Sequence, residues 1–235
     1  MPVYNEAATL SRAIEEVLGA ELPAKVELIV VDDGSTDGTA ELIDSSASGG
    51  AFEVVHHDRN RGKGSAIRTG LAHASGEYTA IFDADLEYDA SDLGPLLEPL
   101  VEGLANAAYG VRAFDGYTSH SFLFVLGNRG VTLAANVLFN VYLHDLMTCH
   151  KLMRTEVFQS LDLRETGFAI EAEITARLLQ RGERIYERPI AYRARSNEEG
   201  KKLTARDGLR VIRTLVRCRL SPKVAPAEDR ELVRA

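Results

Sequence analysis

Apolar and polar residues alternate along the first half of the chain with two periods, one helical and one extended. Residues 5–18 have helical spacing and predict a helix with Asn5 as its N-cap. Residues 26–31 form a short apolar run that predicts a buried strand, ended by the polar turn DDGSTDGT. The same alternation predicts helices at 37–45 and 64–75 and strands at 52–57 and 77–82. Strands that alternate with helices of this length predict βαβ units and a mostly parallel sheet.

The second half of the chain is less regular. It predicts a strand at 107–113, a long apolar stretch at 120–143, a helix at 169–181, a strand at 184–192 and a basic helix at 204–219. We expect one domain over residues 1–219 and a frayed tail over 220–235, which contains two prolines.

Composition changes this picture mainly through charge and cysteine. The 235 residues carry a net charge of −8, but residues 188–219 carry +7 and the remainder −15. This asymmetry predicts an anionic partner at one end of the protein and argues against nucleic acid, because the other half is acidic. Cys149 and Cys218 lie far apart, which excludes a zinc ribbon and fits a reducing compartment. No run of 18 apolar residues occurs, so we expect a cytoplasmic protein that is soluble or peripheral to a membrane.

Acidic residues follow two of the predicted strands. LIVV runs into Asp32 and Asp33, and TAIF runs into Asp83, Ala84 and Asp85. In an open α/β sheet, ligands bind beyond the carboxyl ends of the strands. Because residues i and i+2 of extended backbone point the same way, Asp83 and Asp85 are expected to converge and to need a cation such as Mg²⁺ or Mn²⁺. Solvated turn carboxylates are the alternative.

The glycine-rich segment RNRGKGS is not a known phosphate-binding loop. It lacks the spacing of a P-loop, and Ile67 stands where a dinucleotide fingerprint needs its third glycine. Gly62 and Gly64 are therefore expected to shape a turn, with Lys63 near an anion as a secondary possibility.

Four segments in order resemble the family 2 glycosyltransferases. They are PVYNE at 2–6, VVDDGSTDGT at 30–39, NRGKGSAIRTGL at 60–71 and DADLEYD at 83–89. The resemblance extends over about residues 2–219 and is greatest to the dolichol-phosphate mannose synthase-like and polyprenyl-phosphate glycosyltransferases. It implies a GT-A fold, a Rossmann-like and mostly parallel sheet flanked by helices, that binds a GDP- or UDP-linked sugar through Mg²⁺ or Mn²⁺.

The resemblance also implies roles for individual residues. Those that would contact the nucleotide sugar are Pro2, Tyr4, Glu6, Val31, Asp33, Asp83, Ala84, Asp85 and Arg112. Those that would hold the metal are Asp83, Asp85 and Glu87. Those that would serve catalysis are Asp85 and Glu171, with Arg112, Arg195 and Lys202 facing the diphosphate or an acceptor phosphate.

Two departures from the family pattern concern the start of the chain and His150. Family members carry an apolar strand directly before PxYNE, whereas here Met1 precedes Pro2. We expect either that the physiological protein starts upstream or that the sheet lacks its first strand. His150 stands where an aromatic residue is more usual, and we expect a structural role for it.

The need for a general base depends on the acceptor. A lipid phosphate is already ionised near neutral pH and needs no strong base. A sugar hydroxyl needs a carboxylate, for which Glu171 and Glu173 are the candidates. Both could equally be favourable charges at a helix N-terminus.

The leading hypothesis is a metal-dependent, inverting transfer of a hexose to a polyprenyl or dolichyl phosphate. A family 2 transferase acting on a sugar or glycan hydroxyl, and a sugar-nucleotide-binding protein without activity, are the alternatives. A processive polysaccharide synthase is disfavoured, because the chain has no tryptophan for the QxxRW motif of that class. The pattern makes no prediction of oligomeric state.

Residues 120–143 and 204–219 are predicted to form an acceptor site at an anionic membrane surface. Four arginines of the basic helix lie on one face, at positions 206, 210, 213 and 217. A basic face beside apolar surface suits an anionic lipid interface. For the apolar stretch, a helix packed on the sheet is the alternative.

Overall fold

The computed structural model describes residues 1–112, 122–193 and 205–222 of the chain. The strands are β1 Pro2–Val3, β2 Ile29–Asp32, β3 Glu53–His56, β4 Tyr78–Ala80, β5 Ala107–Arg112, β6 Lys151–Arg154 and β7 Ile185–Ile190. The helices are α1 Leu10–Gly19, α2 Thr39–Ala47, α3 Lys63–His73, α4 Leu93–Val101, α5 Phe122–Phe139, α6 Thr155–Gln159, α7 Ile170–Arg181 and α8 Ala205–Leu220. Arg195, Lys202 and the predicted tail from residue 223 onward lie outside the described residues.

The strands form two sheets. Strands β1, β2 and β3 are parallel, in the order β1-β2-β3. The second sheet has the order β4-β6-β5-β7, in which β6 runs antiparallel to both of its neighbours and β5 pairs with β7 in parallel. The predicted mostly parallel α/β architecture is confirmed. Strand β6 and helices α4 and α6 were not predicted, because the short segments that form them have no clear period.

Helix α1 begins five residues later than predicted. Asn5 has a φ of 54°, which is outside the helical region, and its side chain accepts a hydrogen bond from the Thr36 amide instead of capping the helix. From Leu10 to Val17 the helix buries a regular stripe of side chains, which pack in one apolar cluster with Val3 and Val30 of the first sheet. The link between Asn5 and Thr36 joins the two turns that follow β1 and β2.

Strand β1 is a two-residue strand at the edge of the first sheet, where the sequence predicted either a missing strand or an upstream start. The Met1 ammonium donates a hydrogen bond to the Ile29 carbonyl at 2.8 Å. Burial lowers the pKa of this amine to about 5. A mostly apolar cavity of about 910 Å³ lies between β1 and β4. The two sheets therefore do not pair with each other at this point.

Helices α5, α7 and α8 pack together around a separate apolar cluster. Its centre contains Ala135 of α5, Ala172 and Ala176 of α7, and Val211 and Leu215 of α8. The apolar stretch predicted at 120–143 therefore contains a helix that is buried on one side. None of the helices over the described residues has the length and apolar character needed to span a bilayer.

Candidate active site

Three turns that follow β1, β2 and β4 meet at a cleft of about 330 Å³. The residues that they contribute, with the end of β1, are Pro2, Val3, Tyr4, Glu6, Asp33, Asp83, Ala84, Asp85, Glu87 and Tyr88. The glycine-rich loop before α3 closes one side of the cleft, and α5 and the start of α7 close the others. The cleft thus lies beyond the carboxyl ends of parallel strands, where α/β proteins bind ligands.

Asp83 and Asp85 both line the cleft. A turn starts at Ala84, and Leu86 has a φ of 60°, so the expected extended alternation is not what brings the carboxylates together. Burial, followed by the charges of Asp83 and Glu87, raises the pKa of Asp85 to about 7. The surroundings of Asp85 therefore disfavour the negative charge of its carboxylate.

Asp83 has a partner that the sequence did not predict. Lys63 Nζ donates to Asp83 Oδ2 at 2.7 Å and to Cys149 Sγ at 2.9 Å. Burial alone would lower the pKa of Lys63, but Asp83, Cys149 and Glu171 outweigh it and raise that pKa. Burial likewise opposes ionisation of Asp83, yet Lys63 keeps the pKa of Asp83 below its usual value. Asp83 is thus a charged anchor at the floor of the cleft.

Glu171 lies behind this pair and is almost completely buried. Its Oε2 accepts from Lys151 Nζ at 2.7 Å, and its Oε1 lies 3.4 Å from Lys63 Nζ. Lys151 Nζ also donates to the carbonyls of Leu146 and Glu171. Glu171 is therefore a shared partner of two lysines at the floor of the cleft.

Asp33 organises the glycine-rich loop. Its carboxylate accepts hydrogen bonds from the Arg61 amide at 2.9 Å and the Gly62 amide at 2.7 Å, and His57 Nδ1 lies 2.7 Å from its Oδ1. Gly62 has a φ of 93°, and a Cβ there would collide with the Thr166 carbonyl. Asp33 thus lines the cleft while holding the loop that presents Lys63 at the start of α3.

Arg112 lies at the end of β5 and forms a buried ion pair. Its Nε and Nη2 donate to the two carboxylate oxygens of Asp145 at 2.6 and 2.8 Å, and Asn128 of α5 completes the group. The Arg112 guanidinium also lies 5.2 Å from the ring centre of Tyr192 and 5.9 Å from that of Phe124. Arg112 therefore forms part of the cleft wall with its charge already matched by Asp145.

The residues around Asp85 fit a divalent cation that shares its coordination with a substrate. Asp85 and Glu87 both line the cleft, and Tyr192 Oη donates to Glu87 Oε2 at 2.8 Å. Over the described residues, no three His, Cys, Asp or Glu side chains form a preassembled metal site. Mg²⁺ is usually bound through one or two carboxylates plus substrate phosphates, so the oxygen donors of Asp85 and Glu87 suit such an ion. Asp83 is turned to Lys63.

Comparison with protein-family models decides the family. The model described as Glycosyl transferase family 2 matches residues 1–162, which include every segment that follows β1, β2 and β4. The chain belongs to glycosyl transferase family 2.

Curated relatives of this family 2 glycosyltransferase include archaeal enzymes. Glycosyltransferase AglJ of Haloferax volcanii is 30% identical over 88% of this chain and 66% of its own length. Dolichol-phosphate mannosyltransferase of Pyrococcus furiosus is 26% identical over 86% of this chain and 57% of its own. The chain therefore spans about three fifths of the length of these two relatives.

Solved structures support the GT-A fold of this family 2 glycosyltransferase. Glucosyl-3-phosphoglycerate synthase of Mycobacterium tuberculosis superposes with a TM-score of 0.70 at 24% identity, covering 96% of this chain and 79% of that one. The same enzyme has been solved with Mn²⁺, uridine diphosphate and glucosyl-3-phosphoglycerate, and this form also has a TM-score of 0.70, at 22% identity, covering 94% of this chain and 78% of that one. At this identity the likeness shows the fold.

The structure brings most of the predicted site residues of the glycosyltransferase into one cleft. They are Pro2, Tyr4, Glu6, Asp33, Asp83, Ala84, Asp85, Glu87, Arg112 and Glu171. Val31 is an exception: its side chain does not line this cleft but packs beside Ala66 and Gly70 of α3. Glu173 also faces away, because its carboxylate accepts from the amides of Arg164 and Glu165.

Several cleft residues were missed by sequence reasoning. They are Asn60, Tyr88, Phe124, Met147, Cys149, Phe168 and Tyr192, with Lys63 considered only as a secondary possibility. For Lys63 the sequence did contain a signal, a lysine between two glycines at the start of a helix. Because glycines let the backbone approach a ligand closely, such a lysine can reach that ligand too. Phe124 and Tyr192 come from segments that pattern alone does not place beside the strand ends.

Proposed function

We propose that this family 2 glycosyltransferase transfers a hexose from a GDP- or UDP-linked sugar to a polyprenyl phosphate with the help of Mg²⁺ or Mn²⁺. The observation that carries the proposal is that three neighbouring carboxylates, those of Asp83, Asp85 and Glu87, line one cleft beyond the strand ends. Asp83 is paired with Lys63, whereas the pKa of Asp85 is raised to about 7 by burial and by Asp83 and Glu87. Such a carboxylate fits a divalent cation brought in with a diphosphate.

Each part of the cleft then has a role in donor binding. Asp85 and Glu87 would hold the cation, which when bound neutralises charge on the leaving nucleoside diphosphate. Lys63 holds Asp83 in place at the floor of the cleft, and Asp33 holds the loop that leads to Lys63. The rings of Tyr192 and Phe124 cover the wall next to Arg112, and they keep water from the reacting carbon.

The acceptor step needs little proton transfer if the acceptor is a phosphate. A phosphate oxygen that is ionised near neutral pH forms a bond to the anomeric carbon while the bond from that carbon to the diphosphate breaks on the opposite face, which inverts the configuration. Glu171 is paired with Lys151 and lies next to Lys63, so the cleft floor offers a carboxylate engaged with two cations. This arrangement favours an acceptor that needs no base.

The names of two relatives support the acceptor class. One is dolichol-phosphate mannosyltransferase, and another is undecaprenyl-phosphate 4-deoxy-4-formamido-L-arabinose transferase of Aeromonas hydrophila, which is 36% identical over 44% of this chain and 33% of its own length. A polyprenyl tail stays in a bilayer, so the proposal includes a peripheral association with a membrane surface.

Transfer assays test the proposal directly. Labelled GDP- and UDP-hexoses are incubated with Mg²⁺, Mn²⁺ or a chelator, and with a short polyprenyl phosphate or the matching polyprenyl alcohol. We expect metal-dependent product with the phosphate and none with the alcohol. Transfer to the alcohol or to a free sugar would instead support a hydroxyl acceptor. Donor binding without any transfer would support the non-catalytic alternative; a ligand at 100 times its Kd stabilises by about 2.7 kcal/mol and is readily seen in a melting curve.

A further inference from the structure

Large apolar side chains are exposed along the outer sides of two neighbouring helices. On α5 these are Phe122, Leu126, Leu133 and Val137, and on α8 they include Leu209 and Leu220. Val137 is 74% exposed and Leu220 is 81% exposed. Most of the exposed large hydrophobic residues over the described part of the chain lie on these two helices. Concentrated apolar exposure of this kind marks an interaction surface.

The exposure follows the helical period. Positions 122, 126, 133 and 137 lie within about 60° of one another around α5, at 100° per residue. Positions 209 and 220 lie on the same side of α8 by the same measure. The opposite sides of both helices are buried in the cluster that contains Ala135, Val211 and Leu215. The two helices are thus amphipathic with a packed inner side, and we call their exposed side the outer face.

The charges on the outer face are positive. Helix α5 contains no acidic residue, and α8 contains Asp207 alone. Exposed arginines, Arg129 on α5 and Arg206 and Arg213 on α8, stand among the apolar side chains. Since the chain as a whole carries −8, this face is opposite in sign to the protein that bears it.

Two of the four arginines predicted to face lipid have other partners. Arg210 Nη2 lies 3.0 Å from Glu165 Oε2, and Arg217 Nη2 lies 2.9 Å from Glu165 Oε1 and 3.1 Å from Glu173 Oε1. The four arginines do share one side of α8, as predicted, but Arg210 and Arg217 lie at the edge of that side that is nearest to α7. The basic character of the outer face therefore depends on Arg129, Arg206 and Arg213.

The outer face lies close to the cleft. Phe124 of α5 lines the cleft, and Asn128 of the same helix hydrogen bonds to Arg112 and Asp145. An α-helix with its side chains is about 10–12 Å wide, so a surface that contacts the outer face of α5 lies about one helix width from the cleft wall.

We propose that the outer face of α5 and α8 docks on an anionic bilayer and presents the cleft to its surface. Apolar side chains flanked by arginines fit the boundary between headgroups and acyl chains, where both contacts are satisfied together. A second copy of the chain could pair its acidic surface with the arginines but would give no reason for the apolar side chains among them, whereas a bilayer boundary accounts for both. The identity of the acceptor and the association with a membrane rest on the proposed function, whereas the docking face is tested on vesicles that contain no acceptor.

Vesicle co-sedimentation tests the docking. The probes are vesicles of neutral phosphatidylcholine alone or with about one third phosphatidylserine, at low and high salt. We expect binding to the anionic vesicles that weakens with salt. Arg206→Glu with Arg213→Glu should reduce it at least 25-fold, from about fivefold for each arginine lost. Leu133→Ser with Val137→Ser should reduce binding to the anionic vesicles at both salt concentrations.

Matched controls carry the same changes elsewhere. Val101→Ser with Leu104→Ser alters two exposed apolar residues away from the outer face, and Arg12→Glu with Arg164→Glu alters two exposed arginines. Both controls should bind as the wild-type chain does. Equal losses in the controls, or no wild-type binding to anionic vesicles at low salt, would overturn the proposal. A concentration-dependent dimer that Leu133→Ser with Val137→Ser abolishes would assign the face to a second copy.

A second measurement separates this proposal from the proposed function. Transfer to a short, water-soluble polyprenyl phosphate does not need a bilayer, so the outer-face variants should retain it. Vesicle binding without transfer to any acceptor would leave the docking face standing and reject the proposed function. Transfer without vesicle binding would reject the docking face and leave the proposed transfer reaction standing.

Discussion

Lys63 Nζ lies 2.7 Å from Asp83 Oδ2 at the floor of the cleft, and both side chains are largely shielded from solvent. This pair joins the start of α3 to the acidic segment that follows β4. It leaves the negative charge of Asp83 matched by a cation of the protein itself.

Replacing Lys63 should damage both stability and donor binding. Lys63→Met leaves Asp83 buried without its cation, and breaking one partner of a buried pair costs about 3–5 kcal/mol. We expect a lower melting temperature and a higher KM for the nucleotide sugar, with Lys63→Arg recovering part of both. Arg12→Met, which breaks the exposed pair with Glu16, should shift stability by less than about 1 kcal/mol. A Lys63→Met variant that melts and binds donor like the wild type would refute the role of the pair.

Asp85→Asn should abolish transfer while leaving the fold intact. The substitution removes a carboxylate that is buried next to Asp83 and Glu87, so the melting temperature should be unchanged or higher. Loss of the anionic oxygen weakens the cation site, and we expect transfer to fall by at least 100-fold, about 2.7 kcal/mol. Turnover and melting are measured together, with the exposed Asp162→Asn as the control. Wild-type turnover at saturating Mn²⁺ would exclude Asp85 from the metal site.

His150 should make the protein less stable in mild acid. The ring stacks on Tyr88 at 4.8 Å between the ring centres and is completely buried. Burial lowers the pKa of His150 from 6.5 to about 4. Between these values the unfolded chain binds a proton that the folded protein does not, so the free energy of unfolding falls as the pH falls, by about 3 kcal/mol at pH 4.

The matching substitution is His150→Phe, which keeps the aromatic stacking and removes the titration. We expect its stability advantage over the wild type to grow as the pH is lowered from 7 to 4.5 in denaturant melts. His73→Phe changes an exposed histidine paired with Glu53 and should not reproduce that trend. A constant difference between His150→Phe and the wild type across this pH range would contradict the buried neutral state.

Filling the cavity between β1 and β4 should stabilise the protein. A fused segment of four β-branched residues before Met1 can extend β1 into the apolar space and replaces the buried ammonium by a peptide group. We expect the melting temperature to rise by several degrees, at about 2–4 °C for each kcal/mol gained. A fusion of four glycine and serine residues removes the ammonium without filling the space, so it should gain less. Equal gains from the two fusions would mean that the cavity does not accept a strand.

Much of the site could be predicted because the carboxyl ends of β1, β2 and β4 face one cleft. Segments that lie far apart in sequence, such as the turns with Asp33 and Asp85, meet there once the βαβ pattern is recognised. The partners of these residues could not be predicted in the same way. Arg112 pairs with Asp145, which is 33 positions away and belongs to a segment without a clear period.

Helical spacing likewise predicts which residues share a side but not what lies beside them. Arg206, Arg210, Arg213 and Arg217 share a side of α8, as the sequence indicated. Only the packing of the segment before α7 against α8 shows that Glu165 contacts Arg210 and Arg217. The effective charge of such a face depends on tertiary neighbours that no local pattern encodes.

The segment around Glu165 also limits how the molecule can move. Gly62 and Gly64 lie so close to the carbonyls of Thr166 and Glu165 that a side chain at either glycine would force the two loops apart. The same Glu165 carboxylate holds α8 through Arg210 and Arg217. The loop that carries Lys63 and the helix of the outer face are therefore clamped to a common segment. Any tilt of α8 would be passed to the cleft that contains Lys63, so in the proposed docking the cleft keeps one orientation relative to the membrane surface without a hinge.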